Sequence, residues 1–182
     1  MIAVIILIVV ALVVAVVLYI ISTQRSLVQL EELCKNALSQ IGVQLTSRWD
    51  LIQALVKMVE KYSKHEHDTL QDTINARRSD RMETVDDVQK QESAIGTVIG
   101  QIRAVAERYP DLKAIEAYQK AMDSMDNYEN KVRTSRMVYN DTVTKMNRMV
   151  RQFPSNLVAQ MLGFGLQEYL KVDEKKTEYP EL

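Results

Sequence analysis

Glycine, proline and cysteine are all scarce in this chain of 182 residues: five, three and one, respectively. So few turn-formers argue against an all-β protein, which needs many tight turns. No Gly-rich loop of the kind that cradles a dinucleotide or a nucleoside phosphate is present. Cys34 has no second cysteine to pair with, so an intrachain disulfide is excluded and the redox compartment is not indicated. Residues 1–24 contain no charged side chain. All 23 basic and 24 acidic residues lie beyond them, and the net charge is −1. That balance argues against a general nucleic-acid binder and predicts no nucleic-acid partner. One greasy end and one polar body exclude a plain soluble domain and a polytopic transporter alike.

Ile2 to Ile21 reads IAVIILIVVALVVAVVLYII, apolar throughout except for the Tyr19 hydroxyl. Twenty helical residues span roughly 30 Å, the hydrocarbon thickness of a bilayer. In lipid the β-branched residues still form a helix, because each unpaired backbone group would cost several kcal/mol. Tyr19 falls near the end of the run, where a ring sits well at headgroup depth. A cleaved signal peptide is the competing reading. No Lys or Arg precedes the run, the run is longer than a signal core, and no clean A-x-A site follows it. We therefore expect a retained anchor over residues 1–23, with residues 2–21 in the bilayer. Arg25 and Lys35 follow the span and favour a cytoplasmic body. Ala11 and Ala15 form a small-xxx-small pair, which in so Ala- and Val-rich a run is expected by chance.

The body, residues 24–171, reads as long helices. Leu45, Trp49, Ile52, Val56, Val59 and Tyr62 recur every three or four residues and predict one helix from Ser22 to about His65. Gly42 is its weak point, costing about 1 kcal/mol against Ala. A second helix is expected over about Asp68–Arg108, striped by Ile95, Val98, Ile102 and Val105. Its stretch from Arg77 to Ser93 holds nine charged residues, a solvated rod or a frayed loop. Gly96 and Gly100 are expected at a close helix contact, with a hinge as the alternative. Pro110 ends this helix. A third should run from Asp111 to Gln152, carrying Tyr118, Met122, Met125, Val132, Tyr139, Val143, Met146 and Val150. After Pro154, Ser155 or Asn156 should cap a short fourth helix bearing Leu157, Val158, Met161 and Leu162, interrupted at Gly163 and resumed over Leu166–Leu170. The tail, residues 172–182, is polar. Such helices pack as an elongated antiparallel bundle of three long elements and one short one.

Several strings then point to a family. They include Ser39-Gln40-Ile41, Val43-Gln44-Leu45, Arg48, Asp50-Leu51-Ile52 and Leu55-Val56. His65-Glu66, Ala76-Arg77, Glu107 through Ala114 (ERYPDLKA) and Glu129-Asn130 follow. Arg136, Tyr139-Asn140-Asp141, Val143, Phe153 through Ala159 (FPSNLVA) and Gly163-Phe164 complete the set. Together they resemble the LemA family of bacterial membrane-anchored helical proteins, over nearly the whole chain. Gln53 stands where that family often has proline, Gly42 where it has an acidic residue, and residues 81–93 match nothing in its pattern. The resemblance implies a single-pass α-helical bundle without assigned catalytic activity, with relatives linked to membrane biogenesis, magnetosome membranes included.

Catalytic chemistry finds little support. His65-Glu66-His67-Asp68 invites a metal, but helical residues i and i+2 point about 200° apart, and H-E-x-x-H is absent. Asp86-Asp87 and Asp173-Glu174 sit in solvated stretches. Glu129, Arg133 and Arg136 suit ion pairing along one helix. Cys34 fits apolar packing, and Met122, Met125 and Met146 fit a core, with an adaptable binding surface as the alternative for the methionines. No catalytic, cofactor or metal residue is assigned, and no enzyme is expected. The expected function is a membrane-anchored scaffold or interaction protein, self-assembling and acting in membrane organisation or biogenesis. A membrane-tethered sensor or accessory factor for another membrane protein is the alternative. The expected partners are the bilayer, further copies of the chain, and an unidentified membrane protein.

Overall fold

The computed structural model describes residues 1–79 and 82–171, and the expected tail at 172–182 lies outside them. Among the described residues every regular element is helical. They are α1 (Ile2–Glu60), α2 (Lys64–Arg77), α3 (Val85–Arg108), α4 (Pro110–Ala114), α5 (Glu116–Arg151) and α6 (Ser155–Met161). The chain divides into two compact units. Among the described residues, one comprises Met1–Asn36 with Tyr139–Tyr169, and the other Ala37–Val138 with Leu170 and Lys171.

Four helix boundaries differ from expectation. The first helix stops at Glu60 because Ser63, in extended conformation, accepts from the Glu66 amide at 3.3 Å and starts α2. The second expected helix is two. Thr84 accepts from the Asp87 amide, and the Asp87 carboxylate accepts from the Thr84 amide, both at 3.1 Å. This capping box satisfies two orphan donors and begins α3. The third is also divided: Pro110 occupies the first turn of α4, and Ile115 is extended before α5. Residues 164–171 do not resume the fourth helix.

In the larger unit the expected stripes are the core. Leu45, Trp49, Ile52, Val56 and Val59 of α1 are buried, as are Ile95, Val98, Ile102 and Val105 of α3 and Tyr118, Met125 and Val132 of α5. Leu70 and Ile74 bring α2 into it. Polar contacts fix the directions. Gln44 and Arg48 of α1 meet Ser135 and Glu129 of α5. Glu92 and Arg103 of α3 meet Arg136 and Asp126 of α5. Rising numbers on one helix meet falling numbers on its neighbour, so α5 is antiparallel to both.

Gly42 is buried, and a Cβ there would lie 3.2 Å from Met82 Cβ, so its missing side chain admits a close crossing. Gly96 and Gly100 are exposed, with nothing within 4 Å of an added Cβ. The expected close helix contact is therefore overturned. Gly96→Ala and Gly100→Ala should each stabilise by about 0.5–1 kcal/mol, since Ala costs less chain entropy in a helix. The pair should raise Tm by roughly 2–6 °C, read by circular dichroism in mild detergent. No rise, or a fall, would show that these positions meet something.

In the smaller unit, Leu27, Met146 and Ala159 form the core, with Leu30, Met149, Val150 and Phe164 against it. The apolar run of α1 is long enough to cross a membrane by length and composition, and none of its most apolar window is buried inside the protein. Coverage of α1 begins directly after it: Thr23 is 5% exposed.

Candidate functional site

Three features could carry function. The first is a charged and polar layer inside the larger unit. Arg48 is 5% exposed, with Nε 3.4 Å from Met125 Sδ and its guanidinium 3.6 Å from Glu129. Burial pulls its pKa down; Glu129, then Glu92 and Asp126, oppose that. Arg136 donates from one nitrogen to both Glu92 oxygens at 2.9 Å. So Glu129 and Arg136 each pair with a residue of another helix. Beside them the Trp49 indole donates to Gln91 Oε1 at 3.0 Å. The same oxygen accepts from the Ser79 amide, and the Gln91 amide donates to the Arg77 carbonyl, each at 3.1 Å. One buried glutamine thus ties α1, the end of α2 and α3 together.

The second feature is a strap in the smaller unit. Residues 164–169 form no helix, and Gln167, Glu168 and Tyr169 bond to Asn147, Tyr139 and Thr144 of α5. The Asn147 carboxamide accepts from the Gln167 amide at 2.8 Å and donates to its carbonyl at 2.9 Å. Tyr139 donates to the Glu168 carbonyl at 3.0 Å. Burial, then Cys34 and Glu168, hold the Tyr139 hydroxyl up at about 12. Unfolded tyrosine ionises near 10. Above pH 10 the unfolded chain releases a proton that the fold retains, so the stability present below pH 10 is lost as pH rises through about 12. Denaturation midpoints measured from pH 9 to 12 should fall, and fall less steeply in Tyr139→Phe; equal slopes would show that this hydroxyl is not the cause.

The third is α6. Its inner face, Val158 and Ala159, is buried, while Phe153, Leu157 and Met161 are 74%, 56% and 67% exposed. The expected stripe of this helix is therefore mostly outside the core. Ser155 is its first residue, not its cap, and its hydroxyl donates back to the Met149 and Gln152 carbonyls. The Phe153–Pro154 peptide is cis. Gly163, at φ +78°, ends the helix. The Phe164 amide returns to the Ala159 carbonyl and the Gly163 amide to that of Gln160, a Schellman closure that needs the left-handed residue.

His65-Glu66-His67-Asp68 forms the first turn of α2. Glu66 pairs with Arg108 at 2.6 Å, and His67 Nδ1 lies 3.0 Å from Asp68. Among the described residues no group of three or more His, Cys, Asp or Glu is placed to hold a metal. Cys34 is buried, and burial, then Glu31, pushes its thiol up. A cleft of about 360 Å³ between α3 and α5 is lined by Arg103, Glu107, Lys113, Tyr118 and Asp123, without a nucleophile and base in partnership.

The LemA family profile matches residues 37–182, most of the chain. The chain belongs to the LemA family. It is also similar to magnetosome protein MamQ 2 of Paramagnetospirillum magneticum, at 29% identity over 80 residues. It resembles magnetosome protein MamQ of Magnetospirillum gryphiswaldense at 24% over 78 residues. These matches cover 44% and 43% of this chain and 29% of each relative, so the shared part is under a third of the relatives' length. In this LemA-family chain, several of the strings that carry the resemblance fall at joints, while those from Ser39 to Val56 lie inside α1. Tyr109 separates α3 from α4, which Pro110 begins, Tyr139 holds the strap, Phe153-Pro154-Ser155 leads into α6, and Gly163-Phe164 closes it.

Proposed function

We propose that this LemA-family chain is a membrane-anchored helical scaffold that self-assembles at the membrane and serves membrane organisation or biogenesis. The observation that carries this reading is the wholly exposed apolar run at the head of α1, which only lipid or another apolar surface can cover. On this reading residues 1–23 are the anchor and residues 24–171 the bundle. Anchoring confines the bodies to two dimensions and raises their effective concentration. In the larger unit, Val43, Met137 and Val138 are exposed on neighbouring turns of α1 and α5, apolar surface available to a second copy. Two relatives are named magnetosome proteins, which suits a role at a membrane. Arg25 and Lys35, after the span, favour a cytoplasmic bundle. The sensor reading draws on α1 being one helix from Ile2 to Glu60.

The test is the mass of the full chain in mild detergent beside a chain starting at Arg25. A discrete large assembly in both supports a scaffold held by the bundle. An assembly only in the full chain places the contacts in the anchor. Two monomers would overturn self-assembly.

A further inference from the structure

The exposed face of α6 stands at the membrane end of the smaller unit. Met146 of α5 packs with Leu27 of α1. Gln44 and then Arg48 of α1 meet Ser135 and then Glu129 of α5, and each is one continuous helix, so the two run antiparallel. From that register, at 1.5 Å per residue, Arg151 falls roughly opposite Ser22 and Phe153 opposite Ile20–Ile21, the last residues of the apolar run. Burial agrees, because protein covers α1 up to Thr23. The short α6 then lies on Leu27 through Ala159, about 9 Å beyond Ile21 along α1. Leu157 and Met161 on its outer side, and Phe153 just before it, are more than half exposed, and Leu162 is exposed beside them.

Charge complements the apolar face. Residues 142–167 hold Lys145, Arg148 and Arg151 and no carboxylate, and residues 1–30 hold Arg25 and no carboxylate. All four cations are exposed. An apolar face flanked by basic side chains at headgroup depth is the pattern of an interfacial helix.

We infer that Phe153, Leu157 and Met161 dip into the boundary of the same bilayer that the span enters, with Arg25, Arg148 and Arg151 on anionic headgroups. The span fixes the unit to the membrane, and α6 fixes its tilt and rotation. This rests on the anchoring reading, and the test separates the two.

The full chain is placed in phosphatidylcholine–phosphatidylglycerol vesicles of roughly 3:1 composition, where anionic lipid supplies the surface potential. Single cysteines at Leu12, Asp141, Phe153 and Leu157 carry an environment-sensitive fluorophore, and buried Cys34 stays unlabelled. Labels at 153 and 157 should lose roughly half their emission to shallow nitroxide lipids and resist aqueous cobalt, as interfacial burial demands. The label at 141 should be open to cobalt, and that at 12 quenched by deep nitroxides. A quenched label at 12 with open labels at 153 and 157 overturns the inference and leaves the anchor standing. An open label at 12 overturns both. Labels at 153 and 157 that resist cobalt without nitroxide quenching, increasingly at higher protein density, would assign the face to a second copy and overturn lipid docking. The two positions are read independently, so one misfolded variant does not decide the outcome.

Discussion

Val10→Arg, Leu12→Arg and Val14→Arg together should release the full chain from the membrane. The span holds sixteen Val, Ile and Leu side chains, each favouring insertion by about 0.3–0.6 kcal/mol, or roughly 5–10 in total. Each central arginine costs about 2.5–3.5 kcal/mol on the same scale. Three cost about 8–10 and also remove three favourable residues, so the balance changes sign. Positions 10 and 14 share one face and position 12 points to the opposite one, so no single partner helix can shelter all three. Alkaline carbonate extraction reads the result: wild type stays in the pellet and the variant moves to the supernatant. A variant that stays would mean that α1 is held at the membrane by something other than its apolar run.

Trp49→Ala should lower stability by about 3–5 kcal/mol, the range for deleting a buried large aromatic side chain. Trp49 is among the largest fully buried side chains, and its indole nitrogen is spent on Gln91. Total stability of a domain is about 5–15 kcal/mol, so this loss brings the larger unit close to unfolding. Trp49→Phe keeps an aromatic ring but removes one of the two hydrogen bonds that Gln91 Oε1 accepts, and should cost about 1–2 kcal/mol. Guanidinium denaturation followed by far-ultraviolet circular dichroism compares them. A loss below about 1 kcal/mol for Trp49→Ala would sink the assignment of Trp49 to the core.

The helix boundaries show where local reading was incomplete. Ser63-x-x-Glu66 and Thr84-x-x-Asp87 are capping signals written in the sequence, and both mark real helix starts inside segments expected to be unbroken. The charge density of residues 77–93 masked the second. Ile115 carries no such signal. Its extended backbone follows from burying Leu112 and Tyr118 on either side of the break, which is a tertiary demand. The Ser155 hydroxyl was read as a cap because serine suits one, but the chain enters α6 through Pro154 and the hydroxyl turns back to α5.

Long-range pairing was beyond local reading altogether. Gln91, Asn147 and the partner of Arg48 are polar residues in helical stretches, with nothing nearby in the chain to mark them. The same holds for Gly96 and Gly100, whose spacing suits a helix contact and an open face equally.

The sequence by itself determined the apolar run long enough to cross a bilayer, the helical class, the apolar stripes and the breaks at Pro110 and Pro154. Each depends on hydrophobic periodicity or on backbone chemistry within a few residues, so it is written locally. Only the tertiary structure decided which charges meet, which glutamine and asparagine become buried hubs, and which face of α6 is left outside. Those outcomes depend on the register between helices far apart in the chain, and register is set by the packing of whole faces.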